Sequence, residues 1–166
     1  MTAQYNSHHN MRYQFIDKIK RLEKNKEIVI IKNLTVTEDY FEEHFINFPV
    51  MPGALQIEML AQACGALVEI SSDYTTFSLL LMVEKMKFKK MLHPSDQLIV
   101  TATVISLHEE SALFSTKVEV EGRVVTTGTL MVGIRKLDTS GANFSKTMER
   151  LTERYAFLLR DTEIIG

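Results

Sequence analysis

The 166-residue sequence has no tryptophan, one cysteine, three prolines and seven glycines. A lone Cys64 cannot close an internal disulfide, so the fold must be held by its core. The thiol also lies in an apolar run, where it behaves as a small hydrophobe. No run of about 18 uncharged apolar residues occurs, which argues against a membrane-spanning helix. Met1 to Asn10 is polar and lacks the apolar segment of a secretory signal. Nineteen basic against 21 acidic side chains leave a formal charge of -2, so the molecule as a whole has no electrostatic reason to seek nucleic acid or an anionic membrane. We expect a cytoplasmic protein without internal repeats or low-complexity tracts.

What is present is ordinary for one globular domain, with 45% hydrophobic and 24% charged residues. Ile28-Val29-Ile30-Ile31 is a β-branched run between polar flanks, which favours strands, with Lys24-Asn25-Lys26 as a turn. Thr37 followed by Glu38 and Asp39 predicts the start of a short helix leading to His44. Residues 54–70 are strong helix formers, apolar on nearly every face, and predict a helix buried all round. Pro52 suits its first position, and Gly53 permits close approach to the backbone.

After Ser71-Ser72-Asp73, strands are predicted over 76–89, 97–108, 111–121 and 123–136. Glu109-Glu110 and Glu121-Gly122 serve as hairpin turns. The economical architecture is α+β, one central helix wrapped by one curved antiparallel sheet. Asp138 to Asn143 reads as a linker. Phe144, Met148, Leu151, Tyr155 and Leu158 then recur at helical spacing, predicting an amphipathic C-terminal helix. The chain divides into a flexible N-terminus (1–11), the main domain (12–136) and a linker with the added helix (137–166).

The chemistry concentrates between His44 and Glu58. The apolar segment Phe45-Ile46-Asn47-Phe48-Pro49-Val50-Met51-Pro52-Gly53 joins an imidazole, which exchanges a proton near neutral pH, to a carboxyl expected to be desolvated and to keep its own. The pair offers a base and an acid, with the resting proton on either group. The Gly53 N–H, at the positive end of the helix dipole, is a candidate donor to a developing oxyanion. Gln62, one turn beyond Glu58, is a candidate to orient that carboxyl. His8 and His9 lack a third ligand, so we expect no metal there. Lys85, Lys87, Lys89 and Lys90 form a basic edge, either a solvated face or a contact for an acidic partner. His93 and His108, near turns, receive no role.

His44-Phe45, Pro49-Val50-Met51-Pro52-Gly53, Glu58 and Gln62 together resemble the active-site segment of the 3-hydroxyacyl-acyl carrier protein dehydratases of the FabZ and FabA type. Arg12-Tyr13-Gln14-Phe15-Ile16-Asp17, Lys87-Phe88-Lys89 and Pro94-Ser95-Asp96-Gln97-Leu98 are similar to further family motifs, and Glu58 is the FabZ choice. The resemblance implies a hot-dog fold and a homodimer, or a trimer of such dimers, with the base and the acid of each site supplied by different subunits. It also implies dehydration of a 3-hydroxyacyl thioester, carried as acyl-phosphopantetheine on acyl carrier protein, to the trans-2-enoyl thioester, without a cofactor. His44 would be the base and Glu58 the acid. The sequence departs from the family at Ile46-Asn47, often Pro-Gly, at Phe48, often polar, at Ser95, usually glycine, and at Leu80-Leu81-Met82-Val83, where the family strand bears a glycine. Two alternatives stay open: a hot-dog thioesterase, since proteins of that fold include thioesterases with a carboxylate on the central helix, or a non-catalytic acyl-binding or assembly module, to which Ile46, Asn47, Phe48 and the added C-terminal helix point.

Overall fold

A computed structural model describes residues 14–138 and 144–165. The expected flexible N-terminus, Arg12-Tyr13 and most of the linker lie outside the described residues.

Strands β1 (Lys18–Glu23) and β2 (Glu27–Asn33) form a hairpin about the predicted turn at 24–26. The short helix α1 (Tyr40–Glu43) follows, and then the long helix α2 (Gly53–Ser71). Strands β3 (Thr76–Phe88), β4 (Gln97–Leu107), β5 (Ser111–Val120) and β6 (Arg123–Lys136) complete the domain, within a residue or so of the expected bounds. Helix α3 (Phe144–Leu158) and strand β7 (Glu163–Ile165) close the chain.

The sheet order is β3-β6-β5-β4-β2-β1-β7, antiparallel throughout except for the parallel β1–β7 pair. Along β2 and β5 buried positions alternate with more open ones, the mark of a sheet with one covered face. Ile28, Ile30, Leu98, Val100, Phe114, Val118, Leu130 and Val132 point inward, against Met59, Leu60, Ala63, Cys64 and Leu67 of α2. This is the helix wrapped in an antiparallel sheet that the sequence implies.

Two details differ from expectation. Thr37 does not cap α1; its hydroxyl pairs instead with that of Thr35 at 3.0 Å, and Asp39 takes the N-cap position without a side-chain bond. Pro52 is the N-cap of α2 rather than its first residue, because its ψ of 139° is extended while its carbonyl accepts from Leu55 and Gln56. The helix therefore begins at Gly53.

The C-terminal helix is amphipathic as predicted. Tyr155 and Leu158 are buried, and the Tyr155 hydroxyl donates to Glu69 Oε2 at 2.6 Å. The Tyr155 ring stacks on Tyr74, with centroids 5.6 Å apart. Burial raises the Glu69 pKa, outweighing the hydrogen bond from Tyr155, and pushes the Tyr155 phenol well above its ordinary value. Strand β7, which the sequence did not reveal, covers the outer edge of β1.

Candidate functional site

The turn before α2 is tied by reciprocal bonds. The His44 carbonyl accepts from the Val50 N–H at 2.9 Å, and the His44 ring Nδ1 lies 3.1 Å from the Val50 carbonyl oxygen. A carbonyl can only accept, so Nδ1 carries the hydrogen. In the neutral ring Nε2 therefore holds the lone pair. The half-buried imidazole also stacks on Phe45, with centroids 4.0 Å apart.

Phe45 and Phe48 exchange backbone hydrogen bonds of 3.0 and 2.9 Å across Ile46-Asn47. Asn47 takes φ 63°, a left-handed conformation that asparagine accepts more readily than most residues. Replacement of Pro-Gly by Ile46-Asn47 is thus compatible with a tight turn. His93, without a role from sequence, is a second strut: its Nδ1 donates to the Pro49 carbonyl at 2.9 Å, and its backbone N–H donates to Asp96 Oδ2 at 2.9 Å. Two consecutive carbonyls, at Pro49 and Val50, are held by imidazoles.

At the start of α2, a Cβ on residue 53 would stand 3.1 Å from Phe88 Cζ and 3.3 Å from Cε2. A side chain at Gly53 would press the Phe88 ring, which gives glycine a steric reason beside the expected one. The Gly53 N–H is a first-turn donor that the helix itself does not satisfy.

Glu58 and Gln62 share a face as predicted, with Gln62 Nε2 donating to Glu58 Oε1 at 2.9 Å. The Gln62 amide oxygen accepts from the Phe15 N–H at 3.0 Å, which fixes which way the amide points and aims its N–H at the Glu58 carboxyl. Two expectations about this helix are corrected. It is not buried all round, and Glu58 is exposed rather than desolvated within a single chain. Gln56, two residues earlier and about 200° around the helix, faces the chain's own sheet, which leaves Glu58 directed away from it. Among the described residues, no hydrogen bond or ion pair joins His44 to Glu58 of the same chain.

Sequence reasoning also missed Gln56, a fully apolar-looking helix's one buried amide. It accepts from the Thr126 hydroxyl at 2.7 Å, and both residues are buried. The only available signal was a polar residue on the inward face of an apolar helix.

The basic edge is present, with Lys85, Lys87, Lys89 and Lys90 all exposed. Lys85 and Lys87 join Lys117 around an open hollow of about 470 Å³ on the outer face of the sheet. A smaller apolar cavity, about 100 Å³, lies at the far end of α2 against Leu67, Val68, Phe114 and Ile134. Neither hollow contains His44, Gly53 or Glu58. Among the described residues no cluster of His, Cys, Asp and Glu is arranged to hold a metal, and no helix is long and apolar enough to cross a membrane.

A long apolar helix enclosed by a curved antiparallel sheet defines the hot-dog class. Solved structures agree on this fold. The dehydratase heterocomplex ApeI:P from Xenorhabdus doucetiae aligns with a TM-score of 0.65 at 14% identity, covering 80% of this chain and 88% of that one. A hypothetical thioesterase with coenzyme A from Streptococcus pneumoniae aligns at 0.57 and 13%, covering 74% and 88%.

The chain belongs to the FabA-like family, whose domain it matches over residues 7–129. Within that family it is similar to the 3-hydroxyacyl-[acyl-carrier-protein] dehydratase FabZ of Streptococcus suis, 43% identical over 112 residues, which are 66% of this chain and 79% of that protein. FabZ of Streptococcus mutans is also 43% identical, over 65% of this chain and 78% of its own length.

Proposed function

We infer that the protein is a FabZ-type dehydratase that removes water from 3-hydroxyacyl thioesters on acyl carrier protein during fatty acid biosynthesis. The 43% identity to FabZ enzymes across about two thirds of the chain is the observation that carries this reading. Two residues give it a mechanism. His44 takes the C2 proton of the substrate on Nε2, the nitrogen left with a lone pair by the bond to Val50. Glu58, held by Gln62, gives its proton to the C3 hydroxyl, which departs as water. The Gly53 N–H stabilises the thioester oxygen as charge builds there, a contribution of about 2.7–4 kcal/mol for such donors. Return of the proton from His44 to Glu58 resets the site.

Base and acid come from two copies of the chain. An exposed Glu58 directed away from its own sheet supports this, since that face of the helix is open to a second copy. Strand β3 supports it too. It forms one edge of the sheet and exposes Leu79, Leu80, Leu81 and Met82, at 53%, 41%, 57% and 37%, an apolar edge that needs a partner. A second copy pairing there covers the edge, desolvates Glu58 and brings it to the partner's imidazole. The basic residues Lys85, Lys87, Lys89 and Lys90 then serve the acidic carrier protein. A buried, unpaired Cys64 suits the reducing cytoplasm.

The test is loss of enoyl absorbance when purified protein hydrates a crotonyl or longer enoyl thioester. His44→Ala and Glu58→Gln should each abolish it with the fold intact. Full activity in both variants would end the assignment. Release of free thiol instead of hydration would mark a thioesterase.

A further inference from the structure

Gln56 and Thr126 occupy a place the proposed chemistry does not use. Gln56 is 3% exposed and Thr126 0%, so a polar pair has been taken out of water inside an apolar core. Burial of that kind is costly unless each group is bonded. The Thr126 hydroxyl donates to Gln56 Oε1 at 2.7 Å, and Gln56 Nε2 reaches back to the Met51 carbonyl at 3.4 Å. One amide therefore joins strand β6, the first turn of α2 and the loop before it.

The positions matter. With Pro52 as N-cap, Met51 is the residue before the cap and Gln56 the fourth helical residue. Those two sites are the ones bridged by the hydrophobic staple that sets the angle at which a chain enters a helix. Here the bridge is a hydrogen bond, and it is anchored in the sheet. The Met51 N–H is held as well, donating to the Leu92 carbonyl at 2.8 Å. The Met51 N–H is thus fixed, its carbonyl takes the longer contact from Gln56, Pro52 has little freedom in φ, and the next group along the chain is the Gly53 N–H.

We propose that Gln56 and Thr126 are positioning residues, a buried polar staple that sets the direction of the Gly53 N–H toward the thioester oxygen. The inference rests on the dehydratase reading and deepens it. It places the determinant of oxyanion geometry in β6, far along the chain from the catalytic segment. Neither residue touches substrate; both act through the backbone at 51–53. The arrangement also accounts for a glutamine on the inward face of α2, where an aliphatic side chain would fill the space at less cost.

The test uses the full-length protein and four variants. Gln56→Met keeps the volume and removes the amide. Thr126→Val replaces the hydroxyl with a methyl, Thr126→Ser keeps the hydroxyl, and His44→Ala controls for the reading beneath. Hydration of an enoyl thioester gives kcat and KM separately. Difference infrared spectroscopy of bound butyryl thioester, which cannot be hydrated, reports the carbonyl stretch and so the strength of the hydrogen bond to it.

Gln56→Met and Thr126→Val should lower kcat by about 10- to 100-fold, the scale of an ångström-sized misplacement, with KM within a few-fold. In both the carbonyl stretch should move back toward its value in water, and Thr126→Ser should recover both properties. Wild-type kcat and an unchanged carbonyl stretch in Thr126→Val would overturn the proposal, as would a loss of thermal stability with neither change. If Gln56→Met does not fold, the Thr126 pair decides the matter. Full turnover by His44→Ala would instead remove the dehydratase reading itself.

Discussion

The imidazole of His44 donates from Nδ1 to the carbonyl of Val50, six residues along a turn that the same two residues also close through their backbones. One bond thereby selects the tautomer, orients the ring and leaves Nε2 to exchange protons. A solution measurement reads this directly. Two-dimensional ¹⁵N–¹H spectra of the neutral protein should assign His44 to the Nδ1–H form, with Nε2 at the shift of an unprotonated nitrogen. An Nε2–H form would contradict the assignment of the base.

Glu69 makes stability depend on pH. Its pKa is raised by burial, against the lowering effects of the Tyr155 hydrogen bond and the Arg154 charge. The native state then holds a proton that the unfolded state releases at about 4.3. Stability is fully present below that value and falls as pH rises through the raised native pKa, because the native state binds more protons there. Thermal melts of Glu69→Gln should lack this decline. A variant whose melting temperature follows pH as the wild type does would show that Glu69 is not the group responsible.

Cys64 is buried on α2, and desolvation raises its pKa, since the thiolate has no water or charge to stabilise it there. A disulfide reagent added to the native protein near pH 8 should find no thiol on the timescale of minutes. One equivalent should react at once after denaturation. Rapid native reaction would mean that α2 opens or that the thiol faces solvent.

Ser95 stands at φ 78°, in the left-handed region that favours glycine, and its backbone N–H donates to the Leu34 carbonyl at 2.7 Å. That conformation costs a non-glycine residue roughly 1–2 kcal/mol. Ser95→Gly should therefore stabilise the protein by up to about 1 kcal/mol, the remainder being lost to the freer unfolded chain. Denaturant titration checks the sign. A destabilised variant would mean that the serine hydroxyl makes a compensating bond.

Much of this was legible because it is periodic or local. Strand β2 follows from its β-branched run, the turn at 24–26 from the polar residues beside it, and the apolar stripe through Tyr155 and Leu158 from a repeat of three to four residues. The facing of Glu58 and Gln62 was legible as well, because a spacing of four residues brings two side chains together on a helix. Other features were not. Strand β7 is three exposed residues whose place depends on β1 and on the Lys24 N–H in the turn after it. Thr37 had a rival partner in Thr35. Gln56 finds Thr126 70 positions along the chain, a pairing no local pattern reveals. The exposure of Glu58 was misjudged because an apolar helix implies burial without saying which of its positions the sheet covers.

The central claim is that one copy supplies the imidazole and another the carboxyl, and subunit mixing tests it most directly. His44→Ala and Glu58→Gln proteins, each inactive alone, are unfolded together, refolded as an equimolar mixture and assayed for hydration of an enoyl thioester. Half the dimers should be hybrids carrying one intact site of two, so activity should return to about one quarter of wild type. A mixture as inactive as its components, with hybrid dimers demonstrated, would contradict the account.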